Sequence, residues 1–331
     1  MRNWAELHGD FFRGSRALVT GGAGFIGSHL AEALHQLGTS VVVLDDLSGG
    51  SRDNLTSFGP VDFVEGSILD KDLLTRTARG CRFIFHQAAL GSVPRSVEQP
   101  RLYHAVNTEG TLNVLEAARE AGVARVMFAA SSSAYGDNPV PWVETMPVLP
   151  RSPYAATKVA GEALFRAYSA SYGLDTVSLR YFNIFGPRQN ANSAYAAVIA
   201  AFAKALLGGK DPVVFGDGEQ SRDFTFVHNA VHANLLAARR KEPIGGEVLN
   251  VGCGERITVN QLARLMTELL RVRNSRPVYQ PDRAGDLKHS FADLTRSRAT
   301  LGYRPVVDFK AGLEQTVRWY QNVLPAERMQ Y

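Results

Sequence analysis

Cysteine is scarce in this chain, which has only Cys81 and Cys253 among its 331 residues. Two cysteines cannot build a disulfide framework, and their spacing matches no zinc motif. We therefore expect two reduced thiols, no bound metal and a reducing compartment.

Long hydrophobic runs and basic blocks are missing as well. No apolar stretch reaches the roughly 18 residues that a membrane span requires, and Glu6, His8 and Asp10 interrupt the N-terminus in a way that a signal peptide does not allow. The 36 basic and 32 acidic residues are spread along the chain and leave a net charge of only +4, which does not favour nucleic-acid binding. These absences predict a cytoplasmic protein with no membrane or nucleic-acid partner.

The first half of the chain alternates short apolar runs with helical patterns. At roughly 150 residues per domain, the length suggests about two domains. Strand followed by helix, repeated at this pitch, predicts an α/β fold with a doubly wound parallel sheet. The predicted strands are 17–20, 40–45, 61–66, 81–86, 125–130 and 175–181, and the predicted helices are 25–38, 70–78, 101–121 and 153–172.

The alternation fails after residue 182, where polar and glycine-rich segments separate shorter apolar runs. We predict a nucleotide-binding domain over 1–182 and a smaller mixed α/β lobe, mainly for substrate, over 183–331. Some later segments, such as 224–252 with the helical pattern 229–240, are expected to return to the first domain.

A glycine-rich turn, TGGAGFIG, lies between the first predicted strand and the first predicted helix. Gly21, Gly24 and Gly27 allow a tight turn, close approach of a pyrophosphate and close packing of helix on strand. This context predicts a Rossmann-type dinucleotide site.

Asp45 ends the second predicted strand. A carboxylate at this place binds ribose hydroxyls and favours NAD over NADP. The guanidinium of Arg52, which is nearby in the sequence, would instead accommodate a 2′-phosphate.

Tyr154 and Lys158 form a YxxxK pattern at the head of a predicted helix, which puts both side chains on one face. A neighbouring ammonium and a cationic nicotinamide are expected to lower the pKa of the Tyr154 phenol toward that of a usable base. By itself YxxxK is also common as a surface pair.

Three serines follow the predicted 125–130 strand, namely Ser131, Ser132 and Ser133. Their hydroxyls can donate hydrogen bonds to, and accept them from, a reacting alcohol or carbonyl.

The chain resembles the extended short-chain dehydrogenase/reductases, and within them the UDP-glucose 4-epimerase family. The resemblance rests on the glycine turn, the acidic strand end, the strand-end serines and the YxxxK pattern, which occur in this order. HQAALGSVPRS (86–96), SSSAYGD and NSAYAAVI are most similar to the UDP-N-acetylglucosamine 4-epimerase subgroup. The resemblance implies NAD-dependent 4-epimerisation of UDP-hexoses, preferentially UDP-GlcNAc/UDP-GalNAc and also UDP-Glc/UDP-Gal, through a 4-keto sugar. It also implies a tightly bound NAD that is regenerated at each turnover.

The same resemblance implies residue roles. Tyr154 would take the proton of the sugar 4-hydroxyl, Lys158 would hold the nicotinamide ribose and lower the pKa of Tyr154, and Ser131 would occupy the catalytic Ser/Thr position, with Ser132 and Ser133 lining the site. Beside the three turn glycines and Asp45, the implied cofactor contacts are Phe25, Ile26, Gln87, Asn107 and Tyr181.

The implied substrate contacts lie mainly in the second half of the chain. Those for the nucleotide and its diphosphate are Asn183, Arg222, Arg283 and Asp286, and those for the uracil are Ala197 and Val198. Ser92 falls near the expected N-acetyl pocket, where the alternative is an ordinary turn serine. Ser290 stands where epimerases confined to non-acetylated sugars commonly carry tyrosine, so its small side chain leaves room for a 2-acetamido group.

Three alternatives remain open from the sequence. A 4,6-dehydratase would carry an Asp-Glu pair where this chain has Ser132–Ser133. A UDP-glucuronate 4-epimerase or a decarboxylase would need a cationic site for the sugar carboxylate, which the sequence does not locate. An inactive NAD-sensing scaffold would usually lose the Tyr or Lys that is present here. The resemblance further implies a homodimer built from helices around 101–121 and 153–172.

Overall fold

The computed structural model describes residues 3–191, 198–272, 274–281 and 288–324. Within these ranges the strands are β1 Arg16–Thr20, β2 Ser40–Asp45, β3 Asp62–Glu65, β4 Phe83–His86, β5 Arg125–Ser131, β6 Thr176–Tyr181, β7 Ile184–Phe185, β8 Val213–Phe215, β9 Ser221–Arg222, β10 Thr225–Phe226, β11 Glu247–Val251, β12 Ile257–Thr258 and β13 Val278–Gln280.

The helices are α1 Trp4–His8, α2 Phe25–Gln36, α3 Lys71–Ala78, α4 Val93–Glu98, α5 Pro100–His104, α6 Gly110–Glu120, α7 Pro153–Tyr172, α8 Val198–Leu207, α9 Val227–Arg239, α10 Val259–Leu270, α11 Thr295–Leu301 and α12 Phe309–Val323. Short 3₁₀ segments cover Arg52–Leu55 and Ser132–Tyr135. The predicted helix 101–121 is divided into α5, a single π-helical turn at Ala105–Glu109 and α6.

Seven strands form one sheet in the order β11–β6–β5–β4–β1–β2–β3, and every neighbouring pair is parallel. This confirms the predicted Rossmann-type fold. The chain runs outward from β1 through β2 to β3 and then returns to β4 on the other side of β1. The topology therefore reverses between β1 and β4, and a crevice opens at the carboxyl ends of these strands, where open α/β sheets bind ligands.

Alternating side chains of the central strands supply two apolar layers, because successive residues of a strand point to opposite faces. One layer packs on α3, α6 and α7 and includes Leu18, Val42, Ile84, Val126 and Phe128. The other packs on α2 and α9 and includes Val19, Val43, Phe85 and Met127. Coverage on both faces explains why these strands read as near-continuous apolar runs.

The second half of the chain builds a separate apolar cluster beside the sheet. Phe185, Phe226, Leu262 and Phe309 are among its buried residues, and the short pairs β7–β10, β8–β13 and β9–β12 lie in this lobe. In the same half of the chain, α9 packs on the main sheet and β11 is its edge strand, paired with β6. The exact division of the chain into domains stays a prediction.

The N-terminal extension packs against α9. Trp4, His8 and Phe12 are buried, the His8 and His232 rings approach at 3.1 Å between Nε2 and Nδ1, and Arg239 donates to the Leu7 carbonyl at 2.8 Å. Burial, together with His232 and Arg239, lowers the pKa of His8 to about 3.

Among the described helices, none has the length and apolar character of a membrane span.

Candidate active site

A cavity of about 1210 Å³ lies at the carboxyl ends of the sheet strands, between the sheet and the second lobe. It collects most of the residues predicted from the sequence. Those that line it are Gly21, Gly24, Phe25, Ile26, Gly27, Asp45, Gln87, Ser92, Ser131, Ser132, Ser133, Tyr154, Lys158, Tyr181, Asn183, Arg222 and Ser290.

Five predicted residues stand apart from that group. Asn107 and Val198 are described but are not among the residues that line the cavity. Ala197, Arg283 and Asp286 lie outside the described residues, so the roles implied for them stay predictions.

The glycine turn follows β1 directly at the crevice. Gly21 has φ +67°, and a Cβ atom there would lie 2.6 Å from the backbone nitrogen of Ala88, which follows β4. A Cβ atom on Gly27 would lie 2.1 Å from the Gly21 carbonyl oxygen. Gly24 is the N-cap of α2 and provides no capping side chain. The turn therefore has no room for side chains at the place where the positive end of the α2 dipole faces the cavity. This arrangement fits a dinucleotide pyrophosphate.

Asp45 ends β2 at the rim of this turn and is 7% exposed. Its carboxylate accepts hydrogen bonds from the backbone N–H groups of Ala23 at 2.9 Å and Leu47 at 2.8 Å. Burial raises the pKa of Asp45, and these amide bonds oppose that shift. The carboxylate is therefore held in place by the backbone next to the turn, where an adenosine ribose would lie.

The Arg52 side chain already has two partners in the structure, Glu65 and Phe63. Its guanidinium donates to Glu65 at 2.9 Å and lies 4.4 Å from the centre of the Phe63 ring. A guanidinium neutralised by a carboxylate is a poor receptor for a 2′-phosphate, so these contacts support NAD rather than NADP.

Tyr154 lies in the first turn of α7, which begins at Pro153 and is capped by the Ser152 hydroxyl. Ser131, the last residue of β5, hydrogen bonds to the Tyr154 phenol. The Ser131 oxygen also accepts from the Ser133 N–H at 3.2 Å and the Ser133 hydroxyl at 2.9 Å. The strand end and the helix start thus bring the three predicted elements, serine, tyrosine and lysine, to one wall.

Lys158 is 3% exposed. Its Nζ donates to the Ala129 carbonyl at 2.7 Å and lies 4.8 Å from the centre of the Phe128 ring and 5.9 Å from that of Tyr154. Burial lowers the pKa of Lys158 to about 7, and the nearby Glu162 carboxylate opposes this. Glu162 is itself paired with Arg180 through two bonds of 2.8 and 2.7 Å.

The prediction of a lowered Tyr154 pKa is wrong for the protein groups by themselves. Burial raises the pKa of Tyr154; the Ser131 hydrogen bond lowers it and Tyr103 adds a further rise. Burial disfavours the charged phenolate, and the Lys158 ammonium donates to the Ala129 carbonyl. The prediction also included the positive charge of a nicotinamide ring. That charge belongs to the cofactor and not to the chain's own residues.

Asn107 lies behind the cavity wall, in the π-helical turn. Its side chain donates to the Leu90 carbonyl at 3.1 Å and accepts from the Leu90 N–H at 2.8 Å. It also donates to the Thr157 hydroxyl at 3.1 Å. Asn107 therefore ties the loop after β4 to the helical turn between Tyr154 and Lys158, and the cofactor contact implied for it stays a prediction.

Gln87 and Tyr181 share a partner that the sequence did not reveal. Tyr181 donates to Gln87 at 3.2 Å, and Asn234 of α9 donates to the Tyr181 oxygen at 2.6 Å. Burial raises the pKa of Tyr181 to about 12, so its hydroxyl stays protonated. Asn234 carries no local motif, and only its place on α9 connects it to the site.

The substrate side of the cavity is built from the second lobe. Asn183 donates to Ser290 at 3.0 Å and to the Asp223 carbonyl at 3.1 Å. Ser290 is 4% exposed, and Arg222 donates to the carbonyls of Ser221 and Lys288 at 3.0 and 3.2 Å. These contacts hold an amide, a small hydroxyl and a cation on the wall of the cavity that Tyr154 also lines.

Ser92 serves the fold as well as the cavity. Its hydroxyl accepts from the Arg95 N–H at 3.3 Å as the N-cap of α4, and its own N–H donates to the Tyr103 hydroxyl at 3.2 Å. Ser92 thus caps a helix at the cavity, and its place in an N-acetyl pocket stays a prediction. Tyr103, which the sequence did not single out, also lines the cavity.

The profile of the NAD dependent epimerase/dehydratase family matches residues 17–252, which include β1, the glycine turn, Tyr154 and Lys158. The chain belongs to this family. The predicted membership of the extended short-chain dehydrogenase/reductases is therefore confirmed, and so is NAD as its cofactor.

Relatives of this epimerase/dehydratase chain match it over nearly their full length. A UDP-glucose 4-epimerase from Mycolicibacterium smegmatis is 42% identical, over 93% of this chain and 99% of its own. A UDP-N-acetylglucosamine 4-epimerase from Methanobrevibacter ruminantium, solved with UDP-N-acetylmuramic acid, is 39% identical with a TM-score of 0.88, over 93% of this chain and 98% of its own. A UDP-glucose 4-epimerase from Thermus thermophilus, solved with NAD, is 38% identical with a TM-score of 0.84, over 93% and 100%.

Proposed function

We propose that the protein is a UDP-sugar 4-epimerase that acts preferentially on UDP-GlcNAc and UDP-GalNAc and also turns over UDP-Glc and UDP-Gal. The observation that carries this proposal is the continuity of one cavity. The glycine turn and Asp45, then Ser131, Tyr154 and Lys158, and finally the Arg222 and Ser290 wall line the same space. A dinucleotide and a nucleotide sugar would meet in it at the tyrosine.

The chemistry follows from the residues at that meeting point. Bound NAD supplies a reversible two-electron acceptor for the sugar C4 position. Tyr154 takes the proton of the 4-hydroxyl and later returns it, while Ser131 hydrogen bonds to the same oxygen and stabilises the charge that develops on it. Lys158, which is buried beside the phenol, adds positive potential on the side where a phenolate forms. The 4-keto sugar would then rotate, its C4 would take back a hydride on the opposite face, and Tyr154 would return the proton to O4.

The test of this function is a comparison of three substrates. The purified protein is incubated separately with UDP-GlcNAc, UDP-Glc and UDP-GlcA, and the sugar anomeric signals are followed by NMR. We expect the fastest approach to the 4-epimer equilibrium with UDP-GlcNAc. A protein that leaves all three sugars unchanged, with NAD bound, would contradict the proposed activity.

Ser290 supports the preference for an acetylated sugar. Its side chain is small, buried and held by Asn183 at the cavity wall, so a tyrosine in its place has to extend into the cavity. We expect Ser290→Tyr to lower kcat/KM for UDP-GlcNAc at least about tenfold more than for UDP-Glc, because the bulkier wall removes the space of the acetamido group. Ser290→Ala, which keeps the small size, is the matched control, and equal losses on both sugars in the tyrosine variant would contradict a size gate.

We also propose a homodimer formed through the outer helices of the nucleotide-binding domain. These helices carry exposed apolar side chains, namely Leu102 on α5, Leu112 on α6 and Tyr172 at the end of α7. Exposed apolar side chains are typical of an association surface where they form one patch. Sedimentation equilibrium at micromolar concentration tests it, and a monomer under those conditions would contradict it. The cytoplasmic location stays a prediction.

A further inference from the structure

Three side chains from distant parts of the sequence form a closed ring of hydrogen bonds beside the cavity. The Tyr181 hydroxyl donates to Oε1 of Gln87 at 3.2 Å. Nδ2 of Asn234 donates to the Tyr181 oxygen at 2.6 Å, and Nε2 of Gln87 donates to Oδ1 of Asn234 at 3.4 Å. Gln87 and Tyr181 line the cavity, whereas Asn234 lies on α9 and is fully buried. The ring therefore links two residues of the cavity wall to one that does not belong to it.

A backbone carbonyl fixes the direction of every bond in the ring. Nδ2 of Asn234 also donates to the Ala230 carbonyl, one turn earlier in α9, at 2.8 Å. Because a carbonyl oxygen can only accept, the nitrogen of the Asn234 amide has to lie on that side, and its oxygen faces Gln87. Gln87 then turns its own nitrogen toward Asn234 and its oxygen toward the proton of Tyr181. Helix α9 thus sets the orientation of the Gln87 amide.

The sheet topology places Gln87 between the glycine turn and the catalytic wall. Gln87 follows β4 directly, and β4 lies between β1, which precedes the glycine turn, and β5, which ends at Ser131. A dinucleotide whose pyrophosphate lies at the turn and whose nicotinamide reaches Tyr154 has to pass this point. The ring uses one of the two N–H groups of the Gln87 amide, and in the described part of the chain the second one has no protein acceptor.

We propose that Asn234 is a positioning residue for NAD, which holds the Gln87 amide so that its second N–H group donates to an oxygen of the nicotinamide half of the cofactor. This inference goes beyond the proposed function, because it concerns the cofactor and does not depend on which UDP-sugar is converted. A ring that fixes the amide in advance reduces the entropy lost when the cofactor binds. Breaking the ring is costly because its buried groups would be left unpaired.

The test removes the donor of Asn234 and keeps its shape. In Asn234→Asp we expect the Tyr181 hydroxyl to turn to the carboxylate, which accepts a stronger, charge-assisted bond, so that the Gln87 oxygen loses its donor. The holoenzyme is mixed with an excess of isotopically labelled NAD, and exchange of the bound cofactor is followed without any sugar. Exchange is expected to be about threefold to tenfold faster than in wild type, the factor that corresponds to one neutral hydrogen bond. Asn234→Leu, which buries no charge, should show a similar acceleration.

The matched control is Asn229→Asp on the same helix. Asn229 is equally buried, and its side chain bonds to the backbone of Val306 and Val307 instead of to the ring. This substitution buries the same carboxylate, so it reports any general loosening of α9. We expect NAD exchange to stay within about twofold of wild type, because the Gln87 amide keeps its partners.

A second comparison separates positioning from support of the fold. Gln87→Leu removes the N–H group itself and is expected to accelerate NAD exchange at least as much as Asn234→Asp does. If Asn234 acts through Gln87, adding Asn234→Asp to Gln87→Leu changes the exchange rate by less than about twofold. A residue that only supported the fold would contribute its full factor in either background.

The proposal is overturned if Asn234→Asp and Asn234→Leu, folded and loaded with NAD, both exchange the cofactor at the wild-type rate. It is equally overturned if Asn229→Asp accelerates exchange as much as Asn234→Asp, or if the factors of Asn234→Asp and Gln87→Leu multiply in the double variant. Failure of the proposed function is a separate result, because the exchange of NAD is measured in the absence of a sugar.

Discussion

Replacement of Tyr154 by phenylalanine is expected to lower kcat for UDP-GlcNAc about a thousandfold, within the range that a positioned acid–base group contributes. The phenyl ring fills the same space in α7, so packing is preserved and only the hydroxyl is lost. That hydroxyl bonds to Ser131, and in the proposed mechanism it accepts the proton of the sugar. The measurement is turnover by NMR or by a coupled assay at saturating substrate.

The control for this substitution is Tyr168→Phe on the same helix. The Tyr168 hydroxyl bonds to Glu116 on α6 and lies outside the residues that line the cavity. We expect its removal to leave kcat within about twofold of wild type, with a stability loss of about 1 kcal/mol from the missing hydrogen bond. Wild-type turnover by a folded, NAD-loaded Tyr154→Phe protein would exclude Tyr154 as the base and favour another group.

The Gly27→Ala substitution is expected to strip NAD from the protein. The added methyl group would lie 2.1 Å from the Gly21 carbonyl oxygen, and backbone atoms on both sides cannot rotate away as a side chain can. Forcing the turn open costs about 2 kcal/mol, as overpacking of a tight site does, which corresponds to about a thirtyfold weaker Kd. The measurement is the NAD content of the purified protein together with NAD affinity by calorimetry.

Gly49→Ala is the matched control, because Gly49 lines the same cavity and a Cβ atom there has no neighbour within 4 Å. It adds the same methyl group without displacing the phosphate turn. We expect its NAD content to equal that of wild type. Full NAD occupancy in Gly27→Ala would contradict the assignment of this turn as the pyrophosphate site.

Local patterns were sufficient for the scaffold of the site. The 40–45 run is β2 residue for residue, and the 153–172 pattern is α7, because period and capping are properties of consecutive residues. Glycine spacing located the tight turn between β1 and α2 for the same reason. The predicted single helix over 101–121 was wrong in one respect: a π-helical turn interrupts it at Asn107, whose partners Leu90 and Thr157 lie far away in the sequence.

Side-chain pairing and charge state were decided between distant segments. The sequence leaves Arg52 available to a 2′-phosphate, whereas in the structure its guanidinium donates to Glu65. Asn234 joins the Tyr181 network only because α9 packs on the main sheet. The pKa of Tyr154 depends on how much water the whole wall excludes, a quantity that no spacing of residues reports.

The sequence by itself determined the strand and helix alternation, the glycine turn and the tyrosine–lysine spacing, because each depends on residues within about one helical turn or one strand of each other. Only the tertiary structure decided that Asn107 bonds to Leu90 and Thr157, that burial raises the pKa of the Tyr154 phenol, and that Glu65 pairs with Arg52. These properties arise from groups that are distant in the sequence, because desolvation and hydrogen bonding depend on three-dimensional proximity.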